Sequence, residues 1–207
     1  MTDVDRLRFK CTRCGNCCTD KSTLVNLTYL DILRIQKGLN LDVNEILEIV
    51  GFYIFEKKLS KDDEKKLVIS PIETEKGLAF TALLKNSEGI CYFYNPDKNR
   101  CSIYELRPQF CKTFPFSFEL LKEKKVENDM ELKIIYTEKG KKYCPGIEQN
   151  APVIDYNFWL KVGKETVKQI KKNHEFIKKW NEAARKGEIV PSAKKFIIKI
   201  IKLDESY

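Results

Sequence analysis

The chain has one histidine, His174, among 207 residues. A lone imidazole supports no Cys–His hydrolase, and its place beside a helical apolar stripe reads as packing rather than ligation. None of the nine glycines stands two residues from another, so the Gly-x-Gly dinucleotide fingerprint is absent, as is a Walker A loop. The C-x3-C-x2-C spacing associated with radical S-adenosylmethionine chemistry is missing too. No apolar run approaches the roughly 20 residues that cross a bilayer. The opening "MTDVDRLRFK" lacks the apolar stretch of a signal peptide. The expected location is therefore cytoplasmic, where thiols stay reduced and disulfides are rare.

Against these absences stand eight cysteines. Charged residues at 33% and hydrophobic residues at 43% describe an ordinary globular chain. The formal charge of +8 is uneven: residues 157–207 hold 13 Lys+Arg against 6 Asp+Glu. Such a basic segment suits a protein partner, nucleic acid or an anionic membrane surface, but it also suits a plain solvated helix face. Stacking on single-stranded nucleic acid needs exposed aromatics, and Trp159 and Trp180 fall on the apolar stripe, which argues against that partner.

The pattern along the chain predicts an α+β fold. A helix capped by Thr28 should stop at Gly38, and a second, capped by Asn44, should run through "NEILEIVGFYIF". Residues 60–66 read as a charged loop. "LVISPI" and "GLAFTALLK" read as strands around "ETEKG", and "NPDKN" as the turn of a hairpin that sets Cys91 opposite Cys101. "YELRPQFC" reads as a turn of helix carrying Cys111. "TFPFSFEL" and "MELKIIYT" read as strands, with Phe114, Phe116 and Phe118 on one face. From residue 155 to 186 Trp159, Val162, Thr166, Ile170, Ile177 and Trp180 recur at helical spacing, and residues 193–203 form a short basic helix or strand. The expected organisation is a cysteine-cluster metal-binding domain over 1–150 and a basic helical C-terminal extension over 151–207.

"FKCTRCGNCCTD" carries Cys11, Cys14, Cys17 and Cys18. C-x2-C lets two thiolates on a tight turn reach one metal, and here two such steps run together, with Gly15 free to bend the backbone. The adjacent Cys17 and Cys18 suit two centres, or a bridge, better than one crowded corner. Cys91, Cys101, Cys111 and Cys144 complete a set that divides into two sites of four thiolates, or one cluster and a smaller site. Cys111 alone would read as a small buried hydrophobe; the eight together read as metal ligands. Four thiolates suit tetrahedral Zn2+ or an iron–sulfur cluster, and Cys11, Cys14, Cys17 and the remote Cys144–Pro145 echo the C-x2-C-x2-C…C-P run of bacterial ferredoxins. Tyr92, Phe93, Phe110, Phe114 and Phe116 would keep water from such a centre, and Arg107 is the expected donor to its negative charge, unless it pairs with Glu105 on the surface.

"CTRCGNCC", "CYFYNPDKNRC", "IYELRPQFCKTFPF" and "CPG" together resemble the CxxCxxCC, or YkgJ-like, cysteine-cluster family of zinc- or iron-chelating proteins. The resemblance covers residues 9–148 and matches all eight cysteines, with Arg107, Pro108, Phe114 and Pro115 around the seventh. It implies a metal site without fixing a reaction. The reading is a metal-binding protein that holds one or two iron–sulfur or zinc/iron sites, for electron transfer, metal handling or assembly. Its alternatives are a metal-containing protein-modification enzyme, because flagellin lysine N-methylases carry a similar cluster, and an interaction module built on structural zinc.

Overall fold

The computed structural model describes residues 7–55, 60, 67–123 and 130–203. Apart from Ser60, the charged segment 60–66 lies outside them. The fold is α+β, as its periodicities predict. Helix α1 (Asn16–Thr19) is a single turn. Helix α2 (Tyr29–Leu39) starts at Thr28, whose hydroxyl accepts from the Asp31 amide while the Asp31 carboxylate accepts from the Thr28 amide. It runs past Gly38 and ends where Asn40 turns left-handed at φ 52°. Gly38 serves close packing instead, since a Cβ there would stand 2.4 Å from the Leu106 side chain.

The second helix is shorter than its pattern suggests. Asp42, not Asn44, caps α3 (Val43–Leu47), with Glu45 completing a capping box. From Val50 the chain becomes strand β1 (Val50–Ile54). β-Branched and aromatic residues there favour extended backbone, and β3 supplies the ladder that tertiary structure adds. β2 (Ile72–Thr74) and β3 (Gly77–Leu83) pair antiparallel, but β2 takes only Ile72 from the expected strand "LVISPI" and its other two residues from the expected turn; the sheet order is β1-β3-β2.

β4 (Tyr94–Asn95) and β5 (Arg100–Cys101) make the next hairpin. Cys101 faces Tyr94 across it rather than Cys91, which lies before the hairpin and bridges to Lys85. A 3-10 turn (Tyr104–Leu106) leads to α4 (Gln109–Thr113), the helical turn that carries Cys111. β6 (Phe116–Glu123) and β7 (Met130–Tyr136) pair antiparallel, and α5 (Glu138–Tyr143) follows with Cys144 as its C-cap. Phe114 precedes β6 as the C-cap of α4, so only Phe116 and Phe118 of the expected trio lie in the strand.

The C-terminal part is helical: α6 (Tyr156–Arg185) and α7 (Ala193–Lys202). Both enter the main core, where Ile177, Trp180, Phe196, Ile197 and Ile200 pack with Ile32, Ile35, Ile46 and Ile72. Burying each such side chain contributes about 1.5–3 kcal/mol. The inner face of α6 is more polar than its apolar stripe suggests: Gln169, Asn173 and Asn181 are buried beside Thr166, Ile177 and Trp180. Asn173 accepts from the Tyr29 amide at 2.8 Å, and Asn181 bonds the Glu73 amide and the Pro71 carbonyl, both at 2.9 Å. Trp159 packs on Phe9 and Phe116 in a second, smaller core. No helix among the described residues is long and apolar enough to cross a membrane.

Candidate metal centre

The cysteine run folds around a left-handed corner. Gly15 has φ 79° and Arg13 φ 57°, and the Gly15 carbonyl accepts from the amides of Cys18 (2.7 Å) and Thr19 (3.0 Å) to start α1. Cys11, Cys14 and Cys17 are exposed, Cys18 is half-buried, and all eight cysteines are free thiols. Cys17 and Cys18 do not diverge: their sulfurs lie 4.0 Å apart and share a hydrogen bond. That bond leads the causes that lower Cys17 to about 7, followed by burial, which opposes it, then by the Cys17 backbone amide and the Arg107 guanidinium. The same bond, joined by burial and nearby thiols, pushes Cys18 up.

Two neighbouring cavities hold the thiols. The larger, about 1240 Å³, is bounded by Cys18, Cys91, Cys101 and Cys111, with Phe93, Phe110, Phe114 and Phe116 in its walls. Tyr92 instead is 55% exposed and turns to solvent. The smaller, about 590 Å³, is bounded by Cys11, Cys14, Cys17 and Cys144. Cys11, Cys17 and Cys111 touch both.

The thiols also act on one another electrostatically. Burial raises Cys91, Cys101 and, most of all, Cys111, which is half-buried where the two cavities meet. Behind burial, Cys111 is pushed up by Cys91, Cys17 and Cys101. Cys144 is raised by burial first and then by Cys14, Cys11 and Cys17. Cys17 acts on both groups.

Arg107 lies where its charge counts. It favours the thiolates of Cys17, Cys101 and Cys111, its Nε donates to the Tyr104 carbonyl at 2.8 Å, and its guanidinium stacks 3.7 Å from the Tyr104 ring centroid. Arg13 stacks on the same ring at 4.6 Å. No ion pair joins Arg107 to Glu105 among the described residues. His174 lines neither cavity; its Nε2 lies 3.0 Å from the Val68 carbonyl oxygen.

How Cys144 reaches the N-terminal cysteines is invisible in the sequence. Separate contacts join residues 8–20 in reverse order to residues 153–139. Arg8 bridges Val153, the Phe9 amide donates to the Pro152 carbonyl (3.0 Å), and the Lys10 amide donates to the Gly146 carbonyl (3.1 Å). Beyond the cysteines Asn16 Nδ2 donates to the Tyr143 carbonyl (3.1 Å). Asp20 closes the seam. Its carboxylate accepts from Ser22, Thr23, Lys139 Nζ (3.1 Å) and the Tyr143 hydroxyl (3.3 Å), and its carbonyl accepts from Lys85. The bonds from Thr23, then Ser22 and Lys139, hold the Asp20 carboxyl below the usual carboxylate range against the opposing effect of burial. The turn composition of "TDKST" directly after the cluster was the one signal for Asp20; nothing in the sequence marked Lys139 or Tyr143.

No three Cys, His, Asp or Glu side chains stand in ligating geometry among the described residues. The donor set nevertheless has the chemistry of a thiophilic metal site. It offers sulfur alone, raised in pKa by desolvation where it is deepest and faced by a guanidinium that offsets thiolate charge. The chain belongs to the CxxCxxCC family, described as a "Putative zinc- or iron-chelating domain", whose profile matches residues 10–145. No solved structure matches the chain.

Proposed function

We propose that the protein holds metal in two four-thiolate centres. Cys18, Cys91, Cys101 and Cys111 form the inner one, and Cys11, Cys14, Cys17 and Cys144 the outer one. The carrying observation is how the thiols divide between the two cavities: Cys18, Cys91 and Cys101 line only the larger, Cys14 and Cys144 only the smaller, and Cys11, Cys17 and Cys111 stand where the two meet. Cys17 and Cys18 then belong to adjoining centres across the 4.0 Å between their sulfurs.

Iron–sulfur ligation is the finer reading. The C-x2-C-x2-C run of Cys11, Cys14 and Cys17 with the remote Cys144–Pro145 echoes ferredoxin ligation, and Phe93, Phe110, Phe114 and Phe116 wall the larger cavity. When bound, such a cluster supplies one-electron chemistry, which fits electron transfer, metal handling or assembly in a reducing cytoplasm. Arg107 and Arg13 would balance its negative charge, and the Phe93, Phe110, Phe114 and Phe116 rings would exclude water.

Anaerobic purification with an absorption spectrum and elemental analysis of one sample tests this. Absorption near 400 nm with iron and sulfide supports it. A colourless protein with about two zinc per chain keeps the two centres but makes them structural. Metal-free protein from a metal-replete preparation would overturn the reading.

A further inference from the structure

The two thiol sets differ in what holds them. Cys91 belongs to the buried main core, and Cys18 and Cys101 pack against it. None of Cys11, Cys14, Cys17 and Cys144 belongs to either hydrophobic cluster, whereas of the inner four only Cys111 stands outside them. Three of these four are exposed. Their fourth member arrives on a segment more than a hundred residues away, along the seam between residues 8–20 and 139–153. On the near side that seam is closed by backbone bonds beside the Phe9 packing. On the far side the described bonds are polar ones to Asn16, Ser22, Thr23 and Asp20, and Asp20 is their node. Apolar burial has to be undone before a core opens, whereas a water-facing polar seam opens locally at much lower free energy.

We infer that the outer set is the exchangeable centre and the inner set the permanent one, with Asp20 as the positioning residue that latches Cys144 onto Cys11, Cys14 and Cys17. The inference rests on the two-centre reading. Opening the far side of the seam carries Cys144 away and leaves a metal on three exposed thiolates, open to an incoming acceptor. The acceptor takes the metal ions as its own complex, any bridging sulfide of a cluster leaves as hydrosulfide, and the sulfide and the freed thiolates take their protons from water; no electron is transferred. Lys139 and Tyr143 are the groups Asp20 holds, so their removal should act as its removal does.

The test is a timed challenge of the as-isolated full chain with excess EDTA under anaerobic conditions, counting metal and iron-bound sulfide remaining per chain. Two phases are expected. Asp20→Asn should speed the fast phase by about tenfold or more, the scale on which partners behind the ligands act, and leave the slow phase unchanged. Lys139→Met should follow it and Lys139→Arg should restore the wild-type rate, which keeps the test intact if Asp20→Asn fails to fold. Cys144→Ser should lack the fast-phase metal and Cys101→Ser the slow-phase metal. A uniform loss of folding would move both phases together. One phase for all the metal, or a fast phase that disappears in Cys101→Ser and survives in Cys144→Ser, would overturn the inference while leaving the metal reading standing. Wild-type protein that carries no metal would defeat both.

Discussion

The backbone amide of Cys91 donates a 2.8 Å hydrogen bond to the carbonyl of Cys18. It ties the end of the cysteine run to the strand-like approach of the next hairpin, so the two deep thiols enter one cavity from chain positions far apart. It also fixes the backbone from which the Cys18 thiol bonds Cys17.

That bond makes the thiols titrate unequally. In metal-free protein Cys17 should be alkylated by iodoacetamide with a midpoint near its pKa of about 7, while the buried Cys91 and the half-buried Cys111 react only at higher pH. The sign follows: Cys17 is lowered from the ordinary 9.0, so the stability its thiolate contributes is present above 9 and is lost as pH falls through about 7. Cys18→Ala removes the donor and should move the Cys17 midpoint upward. Site-resolved alkylation rates, read by mass spectrometry across pH 6 to 9, check both.

Gly15 should tolerate no side chain. Its φ of +79° is one that L residues rarely adopt, and a Cβ would stand 2.0 Å from the Tyr94 hydroxyl oxygen. Gly15→Ala should cost about 1–3 kcal/mol from backbone strain alone, with a further loss from the collision. Adding Tyr94→Ala relieves the collision and leaves the strain, so the double variant should recover part of the stability in urea unfolding.

Asp31 is fully buried and joins two elements of the site. Its carboxylate accepts from the Thr28 amide (3.0 Å) and hydroxyl (2.8 Å), from Arg34 (2.5 Å) and from the Gln109 amide (2.9 Å) at the start of the helix bearing Cys111. Arg34 also donates to the Arg107 carbonyl. Asp31→Ala leaves these donors unpaired and should cost about 3 kcal/mol, the low end for a broken buried pair because Arg34 keeps some solvent. Urea denaturation reads that loss, and faster alkylation of Cys111 in metal-free protein would report the loosened α4.

Local chemistry was legible in the sequence, and long-range chemistry was not. The Thr28 cap, the long α6 and the β6–β7 hairpin follow from patterns only a few residues wide, which is all that propensity reads. Spacing and composition single out the eight cysteines, but not which of them share a cavity. The helix expected after Asn44 breaks into β1 because β3, some thirty residues later, offers a partner. Cys101 faces Tyr94 because a two-residue strand sets a register that turn composition leaves undetermined. The Asp20 seam joins residues 119 and 123 positions away, and no local rule connects them.

The buried amides of α6 show the same limit and allow a separation of fold from site. Asn181 holds the amide of Glu73 and the carbonyl of Pro71, and Trp180 donates to the Glu73 carbonyl at 2.9 Å. Asn181→Leu keeps the volume but strands two backbone groups, so it should cost about 2–4 kcal/mol and speed amide exchange at Glu73. Trp180→Phe loses one such bond along with part of its packing and leaves the Asn181 pair intact, so Glu73 exchange should change less. Asn181 lines neither thiol cavity. Its variant should therefore keep the wild-type metal content under native conditions, because binding at the thiols draws on the Asp20 and Asp31 contacts and not on the α6–β2 junction. Metal loss in Asn181→Leu at a denaturant concentration where it is still folded would mean that the α6–β2 junction supports the centre through α6, whose Trp159, Val162 and Thr166 line the cavities.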